Sequence, residues 1–276
     1  MSIGNRISNG WNIALNSWKV LKENKQLIVF PVLSMISLTL IVGSFFTAVL
    51  SFYDWDIHTI HRPGTAVQYV YIFIFYIINY FVVVFFNVAL VHCVSRYFKG
   101  EKITVKDGIQ FSISRIGVIF GWAIFAGTVG AILKIIQENT GSIGKIITGL
   151  IGIVWGIATF FVVPVIAYEN LGPIDAFKRS ADIMKNKWGE RVGAGFSFGL
   201  IALVCFLAIA VLGLAIGALV HPIAGIAVAL LTVVTLLTIM SALRIIFITA
   251  IYQNVNGDPV ELYNQEFVDN LFVSKK

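Results

Sequence analysis

Six long runs of apolar residues account for most of the chain. They cover roughly residues 27–50, 69–94, 117–136, 146–168, 193–220 and 223–251. At a rise of about 1.5 Å per residue, each is long enough to cross about 30 Å of hydrocarbon as an α-helix. None shows the apolar/polar alternation of membrane strands. We predict an all-α polytopic membrane helix bundle with six transmembrane helices and a tight turn at His221-Pro222.

An amphipathic segment, residues 1–26, precedes the first run. Its apolar positions recur at steps of three and four, which is one face of a helix. These positions are Ile3, Ile7, Trp11, Ala14, Trp18 and Leu21. Tryptophans on such a stripe, with lysines opposite, are typical of a helix lying in the membrane interface. A helix packed on the protein's own cytoplasmic face fits the same pattern, and the two interpretations are compatible.

Further amphipathic helices are predicted in the connections, near residues 104–116 and 173–188, and in the tail, residues 252–276. The second begins at Gly172-Pro173, and Pro is favoured at the first position of a helix. Its apolar stripe should face inward, through Ile174, Phe177, Ala181, Met184 and Trp188. The predicted organisation is an N-terminal interfacial helix (1–26), a six-helix transmembrane domain (27–251) and a C-terminal tail (252–276).

The distribution of Lys and Arg predicts the orientation. Of the 20 Lys and Arg residues, 16 fall in the N-terminal segment, the second and fourth connections and the tail, and three fall on the opposite side. Positive residues favour the cytoplasmic side. We therefore expect a multi-pass protein of the cell membrane with both termini in the cytoplasm.

Composition narrows the function class. The chain is 58% hydrophobic and 12% charged, whereas soluble domains carry about 25% charged residues. Cys93 and Cys205 both lie in apolar runs, where a packing role is favoured over a disulfide. The sequence has no CxxC pair, no glycine-rich phosphate loop and no nucleophile–base arrangement. We expect no cofactor, no nucleic-acid partner and no enzymatic activity.

Two stretches resemble a known family. WGIATFFVVPVIAYENLGPIDAFKRSADIMKNKWGE (155–190) and GWAIFAGTVGAILKIIQENTGSIGKI (121–146) resemble a family of uncharacterised prokaryotic six-helix membrane proteins. More distantly, the turn and helix with Ala176, Ser180 and Trp188 are similar to membrane domains attached to some glycerophosphodiester phosphodiesterases. The chain has no catalytic domain of that kind. The resemblance implies topology and no specific activity.

One outer-loop cluster has the residue types of a metal site. Asp54, Asp56, His58 and His61 occur together in DWDIHTIH. Carboxylates and imidazoles at this spacing can bind a divalent cation. The same residues fit a solvated loop, and no second cluster supplies further ligands. We therefore expect no metal site, with these four residues as the candidates to test.

The helix predicted at 173–188 has a basic face. Its members are Lys178, Arg179, Lys185 and Lys187. Each Lys or Arg near an anionic lipid surface contributes about 1 kcal/mol of attraction. The bilayer is the expected partner, and contact with anionic headgroups is one interpretation of these charges. The alternative is that these charges only set the topology.

Arg244 lies deep inside an apolar run, whereas the other charge within a run, Lys134, lies close to the end of run three. Arg244 is eight residues before Tyr252, about 12 Å along a helix, and a side chain can snorkel over only part of that depth. Glu169 ends the fourth run on the same predicted side. We predict an Arg244–Glu169 ion pair, against the alternative that Arg244 reaches headgroup phosphates alone.

The leading function is a non-enzymatic membrane component that acts through lipid or partner contacts of its cytoplasmic surface helices. A small-solute or ion transporter is the alternative, since runs three to six are glycine-rich. The polar residues Asn79, Asn87 and His92 of run two are its candidate pathway groups. Against it, the runs contain no carboxylate. Glycines spaced by four favour packing within the chain, so a homo-oligomer is not indicated.

Overall fold

The computed structural model describes residues 3–52, 55, 66–188 and 198–263, and the described part is helical without strands. The ten α-helices of this part are α1 (Ile3–Glu23), α2 (Val29–Phe52), α3 (Ala66–Phe98), α4 (Val105–Ser114), α5 (Ile116–Asn139), α6 (Gly141–Ala158), α7 (Val162–Glu169), α8 (Pro173–Trp188), α9 (Phe198–Leu219) and α10 (Pro222–Val255). Short 3-10 helices occupy Lys25–Ile28 and Glu261–Tyr263.

Five stretches of described helix are long and apolar enough to cross a membrane: Lys25–Ser51, Tyr69–Phe98, Ile116–Asn139, Gly144–Glu169 and Pro222–Val255. The prediction of an all-helical membrane protein is confirmed to this extent. The fifth predicted run, 193–220, is only partly described. Within α9, the apolar part Leu203–Leu219 is by itself shorter than a span.

Two compact units share these elements. Unit one comprises Met1–Pro31, Cys93–Val105 and Ile183–Lys276, and unit two comprises Val32–His92 and Lys106–Asp182. In unit one, α9 and α10 form a hairpin at the predicted turn. The His221 side chain caps α10 by accepting a 3.3 Å hydrogen bond from the Ile223 N–H, and Pro222 follows at the first helical position.

Small residues let α9 and α10 approach closely. A Cβ at Gly225 would lie 2.4 Å from the Gly213 carbonyl oxygen and 2.6 Å from the Gly217 nitrogen. No side chain fits there, so the spacing of Gly213 and Gly217 serves packing within the chain, as in other membrane helix pairs.

The helix α10 changes character along its length. Residues 222–241 are exposed or half-buried except Gly225 and Thr238. Twenty helical residues span about 30 Å, the thickness of the hydrocarbon layer. Residues 245–254 are all buried, in a part of unit one where α10 packs against α1 and both 3-10 helices.

In unit two, the aromatic helix α3 packs closely against α5. A Cβ at Gly127 would lie 2.9 Å from the Ile77 side chain, and one at Gly130 would lie 3.3 Å from the Tyr76 ring. Towards its C-terminal end, α3 is buried at Val84 and Val88. The glycines of α5 therefore leave room for the Tyr76 ring.

The fourth apolar run is interrupted between α6 and α7 at residues 159–161. Pro164 has no N–H, and its ring clashes with the carbonyl four residues earlier, so a continuous helix is disfavoured here. At the break, the Phe161 N–H donates a 2.9 Å hydrogen bond to the buried Ser180 hydroxyl of α8. Ser180 therefore provides a hydrogen-bond acceptor for a buried backbone N–H, and buried backbone groups need such partners.

Candidate membrane-surface site

The N-terminal helix α1 presents two different faces. Ile13, Ser17 and Val20 are buried in unit one. Trp11, Leu15 and Trp18 remain 56%, 49% and 45% exposed, and their spacing of four and three places them on one stripe. Sequence reasoning left an interfacial and a packed helix open. The structure shows that α1 packs through one face and keeps its tryptophans on another.

Hydrogen bonds to the C-terminal region hold the packed face of α1. The Ser17 and Tyr263 hydroxyls are 2.6 Å apart, and the Asn16 side-chain amide donates to the Leu262 carbonyl at 2.8 Å. The Tyr263 ring is fully buried, with its centroid 6.0 Å from that of Phe247. Burial raises the pKa of the Tyr263 hydroxyl above its ordinary value, since a phenolate would lose its hydration there.

The junction between α1 and α2 is also fixed. The Gln26 amide donates a 2.6 Å hydrogen bond to the Ile103 carbonyl, and the Tyr97 hydroxyl donates to the Glu23 carboxylate. Leu27 and Phe30 are buried beside these contacts. The backbone positions of Lys22 and Lys25, which flank Glu23 and Gln26, are therefore set by the fold of unit one.

An apolar groove of about 310 Å³ lies at this junction. Its lining residues are Trp18, Leu21, Lys22, Lys25, Ile28 and Ile239. The walls are almost wholly carbon, so the lysines contribute aliphatic stems, as snorkelling residues do. Both lysines are exposed. The apolar groove therefore lies next to two ammonium groups.

One member of the basic face of α8 is held in an ion pair. Lys178, Lys185 and Lys187 are exposed. Arg179 instead holds the Glu169 carboxylate, with its Nε 3.0 Å from each carboxylate oxygen. The sequence placed Arg179 among the lipid-facing charges and did not foresee this pair. The signal was weak because Glu169 and Arg179 lie in different helices, on either side of a turn.

The apolar side of α8 is rotated relative to the predicted stripe. Ala176, Ser180 and Met184 are buried, and Phe177 is half-buried with its ring 5.4 Å from that of Trp155. Ile174 is 55% exposed, so its predicted inward orientation is wrong. The reason is the helix break in run four, because the hydrogen bond to the Phe161 N–H turns Ser180 inward.

Arg244 lies where the exposed half of α10 ends. It is exposed, whereas the residues on both sides of it are buried. Together with Leu237 and Ser241 it forms the exposed stripe of that turn. The predicted Arg244–Glu169 pair stays a prediction, and the exposure of Arg244 favours the alternative of headgroup contact.

Among the described residues, the remaining candidates add no second site. Asp54, Asp56, His58 and His61 lie outside the described residues. Within the described ranges no group of three or more His, Cys, Asp or Glu is placed to hold a metal ion. Asn79 donates to the Phe75 carbonyl of its own helix at 2.6 Å, and the His92 ring stacks on Phe111 at 3.9 Å. These two contacts favour structural roles.

Sequence reasoning missed the groove. A partial signal was present, because Trp11, Leu15, Trp18 and Lys22 follow one another at steps of four, three and four. Ile239 carried no such signal, since it reaches α1 only through the fold.

Comparison with known proteins gives one match. The model of a family of unknown function, DUF6159, matches residues 66–259. No curated protein and no solved structure matches the chain. The resemblance to an uncharacterised family is confirmed to this extent.

Proposed function

The chain belongs to this family of unknown function, DUF6159, and from that premise we propose that it is a six-span protein of the cell membrane with cytoplasmic termini. Its role is non-enzymatic: α1, and to a lesser degree α8, bind the anionic surface of the cytoplasmic leaflet. The sequence has no nucleophile–base arrangement that would argue for an enzyme.

The sixth span rests on α9. This helix has 22 residues, enough for about 33 Å at the rise of an α-helix, and it forms a hairpin with the spanning helix α10. The orientation rests on the bias of Lys and Arg. Single cysteines at positions 65 and 274, in a background without Cys93 and Cys205, test it. An impermeant thiol reagent on intact cells should label position 65, and labelling of 274 alone would reverse the orientation.

The exposed stripe of α1 is the observation that supports the function most directly. A tryptophan has an apolar body and a polar N–H, which suits the boundary between hydrocarbon and headgroups. The opposite face of α1 is bonded to Tyr263 and cannot turn outward without breaking that contact. The lysines at the end of α1 add about 1 kcal/mol each near an anionic surface.

A depth measurement tests the placement of α1. A spin label at Leu15→Cys should be accessible to dissolved oxygen and shielded from a water-soluble nickel complex in nanodiscs with anionic lipid. The matched control is Asn12→Cys, on the exposed polar side of the same helix, where the label should favour the nickel complex.

Equal nickel accessibility at positions 12 and 15 would place α1 in water and overturn the proposal. Deep oxygen accessibility at both positions would also contradict it, because a helix in the interface has one wet side.

A transporter is the second candidate, and the break between α6 and α7 favours it. Discontinuous membrane helices often frame substrate sites in carriers. Thr159, at the break, is half-buried and bonds the Trp155 carbonyl at 2.8 Å. Thr159→Cys in membranes should react with a small water-soluble thiol reagent if a wet pathway reaches the break. Protection from the reagent removes this candidate.

A further inference from the structure

We propose that the groove formed by Trp18, Leu21, Lys22, Lys25, Ile28 and Ile239 is a binding site for one anionic phospholipid of the cytoplasmic leaflet. An acyl chain lies in the groove, and the headgroup phosphate lies between the Lys22 and Lys25 ammonium groups. This inference rests on the proposed interfacial position of α1 and goes beyond it, because it assigns one lipid to one site.

The position of the groove along α10 matches a lipid site. Ile239 lies at the inner end of the exposed stretch 222–241, which is about as long as the hydrocarbon layer is thick. Residues 245–254, further along α10, are buried in unit one. The groove therefore opens where hydrocarbon gives way to headgroups, at the depth where an acyl chain begins.

The size and the lining of the groove select one chain. A volume of about 310 Å³ is at the lower end of ligand sites, which run from about 300 to 1,000 Å³. That is too small for a whole phospholipid. The carbon walls give a hydrophilic ligand no hydrogen-bonding partner, whereas a hydrocarbon chain needs none.

Charge complementarity selects the headgroup. Lys22 and Lys25 line the same groove and are both exposed. Neither makes an ion pair within the described ranges of the chain. Two cations that form no ion pair among the described residues, next to an apolar groove, fit an amphiphile with an anionic headgroup. A zwitterionic or neutral headgroup would be attracted less strongly.

The site is preformed. Gln26, between the two lysines, is bonded to the Ile103 carbonyl, and Leu21 and Leu27 are buried. Ser17, one residue before Trp18, is held by Tyr263. The backbone that carries the lining residues therefore does not have to order when a lipid binds, and less entropy is lost on binding.

The test is lipid retention by the full-length protein, delipidated in mild detergent and titrated with phosphatidylglycerol or phosphatidylcholine in mixed micelles. Native mass spectrometry counts the lipids bound per chain. The wild type should bind one phosphatidylglycerol in preference to phosphatidylcholine. The double variant Lys22→Gln, Lys25→Gln should weaken phosphatidylglycerol binding about 30-fold, because the loss of each lysine lowers the affinity about fivefold.

Two matched controls separate this site from general surface charge. Lys19→Gln removes an exposed lysine of α1 that does not line the groove, and it should change retention less than twofold. Ile239→Trp should fill the groove and abolish retention, whereas Leu237→Trp, on the exposed side of α10, should leave retention unchanged.

Three outcomes overturn the site. They are an equal loss of lipid retention in Lys19→Gln and in the double variant, equal binding of the two lipids by the wild type, and unchanged lipid retention in Ile239→Trp. Competition by glycerol 3-phosphate at the potency of the lipid would also overturn it, because the chain would then not be needed. The depth measurement at position 15 separates the two proposals. If position 15 lies in the bilayer but the groove variants retain lipid like the wild type, the interfacial position of α1 is supported and the lipid site in the groove is excluded.

Discussion

The amphipathic helices α1 and α8 follow the same sequence pattern, an apolar stripe with lysines beside it, but they use their aromatic residues in opposite ways. In α1 the tryptophans are exposed and small or aliphatic residues pack inward. In α8 the half-buried Phe177 stacks on Trp155 and lies near Phe125, while the charge of Arg179 is taken up by Glu169.

The difference follows from what each helix has to satisfy. Ser180 of α8 is drawn inward by the Phe161 N–H at the break in run four. Ser17 of α1 is drawn inward by the Tyr263 hydroxyl. In both helices a buried serine, rather than the most hydrophobic residue, sets which side packs. An amphipathic pattern therefore predicts the helix but does not decide which aromatic side chains meet the lipid.

The largest expected effect comes from removing the anchor of α1. Tyr263→Ala deletes a fully buried ring and leaves the Ser17 hydroxyl without its partner. Substitutions of this kind cost about 3–5 kcal/mol. The free energy of unfolding in detergent should fall by this amount. Trp11→Ala, on the exposed stripe, should change it by less than about 0.5 kcal/mol, and equal losses would mean that the tryptophan stripe is the packed face.

The next effect concerns the aromatic contact of α8. Phe177→Asp places a charge among Trp155 and Phe125 and should lower stability by about 3 kcal/mol. Its neighbour Lys178 is exposed, so Lys178→Asp should be tolerated. The yield of folded protein and its thermal midpoint measure both. Equal tolerance of the two substitutions would show that α8 exposes its aromatic residue as α1 does.

A smaller effect is expected at the break in run four. Ser180→Ala removes the hydroxyl that accepts from the buried Phe161 N–H, and loss of a buried hydrogen bond typically costs about 1–3 kcal/mol. The matched control is Ser114→Ala, since Ser114 is exposed and bonds only within its own turn. Thermal unfolding of the two variants compares them. An unchanged midpoint for Ser180→Ala would remove serine as the determinant of the α8 orientation.

Alkaline pH should weaken the packing of α1 before it weakens that of α8. Burial raises the folded-state pKa of Tyr263 above its unfolded value of about 10. Its contribution is therefore complete below pH 10 and is lost as the pH rises through the folded-state pKa. Tyr263→Phe should cost about 1 kcal/mol at neutral pH and should weaken the alkaline decline. Stability measured from pH 8 to 11.5 shows this, and parallel declines in both proteins would assign the titration to other groups.

The smallest effect is expected from the Glu169–Arg179 pair. Its side chains are 27% and 43% exposed, and pairs of this kind contribute about 0.2–1 kcal/mol. Double-mutant cycles of Glu169→Gln with Arg179→Gln and with Arg244→Gln compare the two partners. A coupling of 3 kcal/mol or more with Arg244 would establish the pair predicted from the sequence. Coupling to Arg179 alone would assign Arg244 to the headgroups.

Some elements of the fold carry a local sequence signal and others do not. The turn at His221-Pro222 was predicted because a polar cap and a proline act on their immediate neighbours. The close approach at Gly213 and Gly217 was also readable, because glycine spacing is a local property. The close contact of the aromatic run with α5 was not predicted, because α5 supplies a glycine where the Tyr76 ring needs room, and no local signal in run two reports that.

The candidate site divides in the same way. The stripe of Trp11 and Trp18 and the lysines beside it belong to one helix of the sequence. The groove does not, because Ile239 comes from the far end of the chain and the acceptor of Gln26 from the loop after α3. The pairing of Glu169 with Arg179 likewise depends on the angle between α7 and α8.

By itself, the sequence determined the helical class, the membrane as solvent, the amphipathic helices and the bias of positive charge, because these follow from apolar length, periodicity and composition within single segments. Only the tertiary structure decided which faces of α1 and α8 pack, where the helix of run four is interrupted, and which residues line the groove. Those outcomes depend on buried hydrogen bonds between segments distant in sequence, such as Ser17 with Tyr263, and the energy of such a bond exists only once the fold has brought both partners out of water.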